Sequence, residues 1–170
     1  WSSDGCSSDL LGPEGQVGWE LARSLQPLGA VQALGRAGAD LSDPLALEAV
    51  VSRHAPQVIV NAAAWTAVDD AESHEAAATR INGEAPGALA QAARRCGALL
   101  LHYSTDYVFD GSGNTARQED DSTAPINAYG RGKLAGERAI AQAGGDWLIL
   151  RTSWVYASRG RNFVRTMLRL

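Results

Sequence analysis

The chain has 170 residues, a single-domain length, and 45% of them are apolar, although thirty alanines leave the core lean in bulky side chains. Nineteen acidic residues against fifteen basic ones give a net charge of −4 and a pI near 5.3, which argues against a nucleic-acid partner, since phosphate recognition needs clustered positive charge. No apolar run approaches the roughly 18–20 residues of a membrane span and no signal peptide opens the chain, so the sequence reads as cytoplasmic with no membrane partner.

The first nine residues stand apart. Ser2-Ser3-Asp4 and Ser7-Ser8-Asp9 form a near-repeat without apolar periodicity, and residues 1–9 are expected to be a disordered or non-native head before a domain covering 10–170. Leu10-Leu11 then reads as the remnant of an incomplete first strand, leading into a glycine-rich turn. Residues 16–25 carry helical spacing, with Val17, Leu21 and Leu25 on one face. Residues 31–34 form a short strand. Asp43 and Pro44 supply a helix cap and first position, and Pro56 closes that helix. Residues 58–60 follow as a buried strand. An alanine-rich helical stretch runs over 75–95, perturbed near Pro86 and ended by Gly97. The strand at 99–101 continues into His102-Tyr103-Ser104, and residues 110–127 are loop. A helix over 129–143 stops at Gly144-Gly145, a strand covers 147–150, and a last helix starts near Asn162. Short apolar strands, each followed by a helix, predict an α/β fold of Rossmann type: a doubly wound parallel sheet whose ligands sit at the carboxyl ends of the strands.

The informative residues lie just after each strand. Gly12-Pro13-Glu14-Gly15-Gln16-Val17-Gly18 has the form G-x-x-G-x-x-G, in which Gly12 and Gly15 let backbone amides approach a pyrophosphate at a helix N-terminus. A plain structural turn is the competing reading. Asp40-Leu41 lies at the distance expected for an adenosine contact, or else is a turn ahead of Ser42-Asp43-Pro44. Arg36 follows the second strand where a carboxylate would hold a ribose diol; an arginine there suits a 2′-phosphate and favours NADP(H) over NAD(H). Ala62-Ala63-Ala64 follows the third strand, with side chains small enough for a ring or ribose to pack on backbone. Close helix packing is the alternative, and taken alone it explains them better.

The strongest constellation joins Ser104-Thr105-Asp106, at a strand end, to Tyr129 and Lys133 on the next helix. Tyr and Lys at i and i+4 share a face. An ammonium near a phenol favours the phenolate and lowers its pKa toward working pH, so Tyr129 can exchange a proton with a carbonyl or alcohol. The Thr105 hydroxyl can share the charge that develops on the same oxygen. Lys133 is the only lysine beside fourteen arginines, and arginine would be a poor replacement because it keeps its proton.

Together these segments resemble the extended short-chain dehydrogenase/reductase superfamily and, within it, the dTDP-4-dehydrorhamnose reductase family. The resemblance rests on Gly15-Gln16-Val17-Gly18-Trp19-Glu20-Leu21, on the stretch from Val60 to Asp69, and on Tyr103-Ser104-Thr105-Asp106-Tyr107-Val108-Phe109-Asp110-Gly111. It continues through Asn127-Ala128-Tyr129-Gly130, Lys133-Leu134-Ala135-Gly136-Glu137 and Arg151-Thr152-Ser153-Trp154-Val155-Tyr156. It implies NAD(P)H-dependent reduction of the 4-keto group of dTDP-4-dehydro-L-rhamnose. Tyr129 would donate the proton and also contact the cofactor, Lys133 would tune it and hold the nicotinamide ribose, and Thr105 would complete the triad. Gly15, Gln16 and Val17 would bind the pyrophosphate, Asp40 and Leu41 the adenosine, and Ala62, Ala63 and Ala64 the middle of the cofactor. Thr105, Asp106 and Trp154 would touch the sugar; for Trp154, ordinary core packing is the alternative.

The resemblance also implies a smaller substrate domain beyond residue 170, absent from this chain. With it would go a homodimer contact that in some members is assisted by Mg2+, and the 170-residue chain alone is expected to be inactive. Gly35-Arg36 departs from the acidic residue usual after the second strand, so NADP(H) and NAD(H) both stay open. The alternatives are another nucleotide-sugar reductase or epimerase of the superfamily, and a non-catalytic regulatory subunit, which the intact Thr105, Tyr129 and Lys133 disfavour. No metal site is expected: His54, His74 and His102 lack ligand spacing, and His102 reads as a core histidine. Cys6 and Cys96 form no disulfide framework.

Overall fold

A computed structural model describes residues 5–170. Five strands form one all-parallel sheet in the order β2-β1-β3-β4-β5. They are β1 (Ser8–Leu11), β2 (Val31–Leu34), β3 (Val58–Asn61), β4 (Leu99–Thr105) and β5 (Trp147–Thr152). The helices are α1 (Gln16–Ser24), α2 (Pro44–His54), α3 (Val68–Ser73), α4 (Glu75–Thr79), α5 (Ala85–Cys96), α6 (Ala128–Ala143) and α7 (Phe163–Met167). This is the doubly wound arrangement the sequence predicts. Its strand order reverses between β1 and β3, which is where such sheets bind ligands.

The head and the first strand need correction. β1 begins at Ser8, so the expected disorder does not hold for Ser8 and Asp9; residues 1–4 lie outside the described residues. Ser8 pairs with Val31 on one side and Val58 on the other, and Leu11 pairs with Leu34 and Asn61. The strand is thus as long as its neighbours β2 and β3. Pairing on both sides compensates for a segment with little strand propensity of its own. Asp9 is buried there with His54 Nδ1 3.0 Å from its carboxylate, and burial pushes its carboxyl above the usual range while His54 pulls it back.

Local signals set most other boundaries. Asp43 accepts from the Ala46 amide at 3.0 Å to cap α2, and Ala55 ends it in a left-handed conformation ahead of Pro56. The alanine-rich stretch is helical throughout, but residues Arg80–Glu84 form a π turn before Pro86 enters the first turn of α5. Asn82 sits in that turn, fully buried, and clamps Trp65 by accepting from its amide and donating to its carbonyl, both at 2.9 Å.

The lean core follows from close helix approach. Leu11, Leu34, Ile59 and Leu100 of the sheet pack with Leu47 and Val51 of α2, Leu89 and four alanines of α5, and Ile140 of α6. A β-carbon on Gly136 of α6 would collide with the Asn82 carbonyl, and one on Gly87 would come within 2.9 Å of Ala139. Small residues here bring α6 against α5 and the π turn, which seats the next elements over β4.

Candidate active site

The carboxyl ends of β1, β3, β4 and β5 open into a cleft of about 770 Å³. At the switch point Gly12 has φ +77°, and a β-carbon there would lie 2.9 Å from Ala63. Only glycine fits this crossing. Gly15 caps α1 without a side-chain hydrogen bond, and the first turn of the helix carries no acidic residue, so the positive end of α1 faces the cleft, while the carboxylate of Glu14, just before the cap, lies against Gly35. Gly12, Gly15, Gln16, Val17, Ala62, Ala63 and Ala64 all line it. Gln16 has further partners in the segment before α7: its Nε2 donates to the Arg161 carbonyl at 3.3 Å, and its Oε1 accepts from Asn162 at 2.7 Å.

The start of α6 sets the catalytic candidates. Asn127 accepts from the Gly130 amide at 2.7 Å, and Glu72 accepts from the Ala128 amide at 2.7 Å. Tyr129 therefore falls in the first turn and Lys133 one turn on, both lining the cleft with Thr105 and Asp106. Tyr107 packs edge-on to Tyr129 with ring centres 5.7 Å apart. Ser153 donates to Asp106 at 2.6 Å, and the Thr105 hydroxyl accepts from the Tyr107 amide at 3.2 Å.

The expected tuning of Tyr129 is corrected. Burial raises the phenol above its usual value, as do the nearby Asp106 and Tyr107, and a hydrogen bond with Thr105 opposes them. The hydrogen bonds of Lys133 do not run to the phenol. Its amine turns to β4 instead, donating to the Tyr103 carbonyl at 2.6 Å and lying 3.2 Å from His102 Nε2. Lys133 is fully buried, and burial pushes its ammonium down to about 8.

Three sequence candidates lie outside the cleft. Leu41 is buried in the core. Asp40 accepts from the Ser42 amide and hydroxyl, both at 2.8 Å, which is the turn role; those bonds hold its carboxyl below the usual range. Arg36 is 82% exposed and reaches Asp40 across solvent at 3.3 Å. Trp154 lines the cleft but is not core: it is 74% exposed, with φ +52°, and meets Phe163 edge-on. A left-handed backbone at a bulky residue is strained.

Sequence reasoning missed Glu14, Ser153, Gly160 and Arg161 in the cleft lining. Ser153 directly follows β5, and the strand-end rule could have found it. Gly160 and Arg161 arrive from the far end of the chain with no local signal. Among the described residues no cluster suited to a metal ion occurs, and no helix is long and apolar enough to cross a membrane.

The strand order, the glycine turn at the switch point and the Thr/Tyr/Lys cleft define a Rossmann-type domain of the short-chain dehydrogenase/reductase kind. The sequence matches the RmlD substrate binding domain over residues 10–170, and the chain belongs to that family. It is 60% identical over 161 residues to the dTDP-4-dehydrorhamnose reductase of Burkholderia thailandensis, covering 95% of this chain and 54% of that protein. The Shigella flexneri enzyme of the same name is 52% identical over 165 residues, covering 95% and 55%. Among solved structures, dTDP-4-dehydrorhamnose reductase from Bacillus anthracis in complex with NADP superposes with a TM-score of 0.93 at 35% identity, covering 97% of this chain and 59% of that one. The Yersinia enterocolitica reductase gives 0.91 at 32% identity, covering 96% and 59%. The chain spans about half the length of these curated relatives.

Proposed function

We propose that the chain is the dinucleotide-binding half of an NAD(P)H-dependent dTDP-4-dehydrorhamnose reductase, with a dTDP-linked 4-keto-6-deoxysugar as substrate. The convergence of Thr105, Tyr129 and Lys133 on a cleft floored by the glycine turn carries this reading. The cradle suits a dinucleotide: Gly12 leaves backbone room at the switch point, and Gly15, Gln16 and Val17 would hold a pyrophosphate at the open end of α1. Ala62, Ala63 and Ala64 would bound its middle, and Lys133 its nicotinamide ribose. The bound dinucleotide supplies a hydride to the ketone carbon.

Tyr129 would deliver the proton to the ketone oxygen. Its raised pKa keeps the phenol protonated at neutral pH, which is the form a donor needs for reduction. The Thr105 hydroxyl, which lines the cleft with that phenol, would share the charge on the oxygen. Asp106 and Trp154 would position the sugar, so that the ketone is held in a near-attack pose. The same reading places the enzyme in the cytoplasm, which agrees with Cys6 and Cys96 both being free.

The test has two parts. NADPH and NADH are titrated into the protein and followed by tryptophan fluorescence. A chimera carrying the second half of the Burkholderia thailandensis relative is then assayed with the dTDP-4-keto sugar. Saturable dinucleotide binding and ketone-dependent oxidation support the reading; binding of neither dinucleotide refutes it.

A further inference from the structure

Behind the cleft a buried polar row crosses from β3 through β4 to α6. Asn61, His102 and Lys133 are each 1% exposed, so their polar atoms must be satisfied within the protein. The Ala63 amide donates to Asn61 Oδ1 at 3.2 Å, which turns the side-chain Nδ2 toward His102. Nδ2 lies 3.1 Å from His102 Nδ1 and can only donate. Nδ1 therefore accepts, and the proton of the neutral ring sits on Nε2. That Nε2 faces Lys133 Nζ at 3.2 Å. An ammonium has three protons and no lone pair, and would set N–H against N–H. An uncharged amine fits: it accepts from Nε2 and still donates to the Tyr103 carbonyl at 2.6 Å.

We propose that Asn61 and His102 are positioning residues: they form a one-way hydrogen-bond chain from the Ala63 amide to Lys133 Nζ that opposes protonation of the lysine. When Nζ takes a proton from solvent, Nε2 must become an acceptor and the ring proton must sit on Nδ1 instead. Asn61 must then turn its oxygen to Nδ1, which removes the acceptor of the Ala63 amide. The charge of the lysine is thereby coupled, through two side chains, to the Ala62–Ala64 turn that lines the cleft. This coupling concerns the chain's own groups and holds whichever sugar or dinucleotide the cleft takes.

The surrounding charges leave the argument intact. Glu137, one turn along α6, favours the ammonium, but Arg151 of β5 holds its carboxylate at 3.0 and 2.7 Å and Ser104 of β4 at 2.5 Å. Glu72 of α3 and Glu75 of α4 are taken by Arg131, and Arg80 and Glu84 of the π turn pair in solvent. Tyr129 and Asp106 face the cleft. Burial keeps the His102 ring well below its ordinary value and so neutral, consistent with a ring that carries one proton.

Nuclear magnetic resonance decides the matter on the 170-residue chain, because Lys133 is its only lysine and labelled lysine gives one side-chain signal. The Lys133 signal is expected to titrate near pH 8 instead of the ordinary 10.5. Above that midpoint the ring nitrogens of His102 should show the proton on Nε2. In Asn61→Asp one carboxylate accepts from both the Ala63 amide and His102 Nδ1. The ring proton should then move to Nδ1 and the lysine midpoint rise by about 1–3 pH units. A proton on Nδ1 in the unsubstituted protein above the midpoint, a lysine titrating near 10.5, or a midpoint unmoved in Asn61→Asp overturns the proposal. Should Asn61→Asp not fold, the tautomer in the unsubstituted protein decides alone.

Discussion

The Glu14 carboxylate fills the space that a β-carbon on Gly35 would need. In dinucleotide-binding domains an acidic residue about 20 positions past the glycine turn accepts from the adenosine ribose hydroxyls. Gly35 holds that place here without a side chain, and the carboxylate comes from the turn itself. A carboxylate there repels a 2′-phosphate, whereas Arg36, one residue on, attracts one. Glu14→Gln is therefore expected to tighten NADPH about fivefold relative to NADH, an effect of the size exposed charges give. Arg36→Ala is expected to weaken NADPH by a similar factor and to spare NADH. Paired fluorescence titrations check both, and equal changes for the two dinucleotides would refute the assignment.

Tyr129 and Thr105 divide one task in the proposed reduction, so their losses should differ. Tyr129→Phe removes the proton donor and is expected to lower kcat of the chimera about 10²–10⁴-fold. Thr105→Val removes one donor to the developing oxyanion and should cost about 10²-fold. Neither touches the glycine turn, so dinucleotide Kd should stay nearly constant. Steady-state kinetics alongside binding titrations separate the two effects; an unchanged kcat in Tyr129→Phe would sink the mechanism.

Burial of Lys133 has a thermodynamic signature of its own. Its folded pKa of about 8 lies below the unfolded 10.5, so between these values the unfolded chain binds more protons and stability rises with pH. The contribution is absent below about 8 and complete above 10.5, and is worth about 3 kcal/mol in all. Lys133→Met should lack this rise. Urea unfolding of both proteins from pH 7 to 10.5 measures it, and parallel stability curves would contradict the depressed lysine.

What the sequence disclosed was local. The Gly12–Gly18 turn, the Asp43 cap and the Tyr129/Lys133 pair each rest on residues within one or two turns of one another, and the structure keeps all of them. What stayed hidden depends on partners far along the chain. Ser8 and Asp9 are strand only because β2 and β3 flank them, and the partner of Asp9, His54, lies 45 residues on. Lys133 was found by its spacing, yet its direction is set by His102 and Tyr103 on β4, about 30 positions back. Arg36 fell at the right strand end, but its side chain follows Asp40 out to solvent.

The same close packing that makes a core from alanine and glycine should make Gly136 intolerant. A methyl group there would drive into the Asn82 carbonyl, which is backbone and held within the π turn. Asn82 also clamps Trp65 through its side chain, so the strain should reach the segment that follows β3. Gly136→Ala is expected to destabilise by about 1–3 kcal/mol, with Tm falling about 2–4 °C for each kcal/mol at this chain length. Hydrogen exchange at the Trp65 amide should quicken as well. Gly38→Ala is the control, since a β-carbon there meets its nearest neighbour at an ordinary 3.5 Å, and its Tm should shift little. Equal Tm changes in the two variants would show that close approach at α6 is not what limits this core.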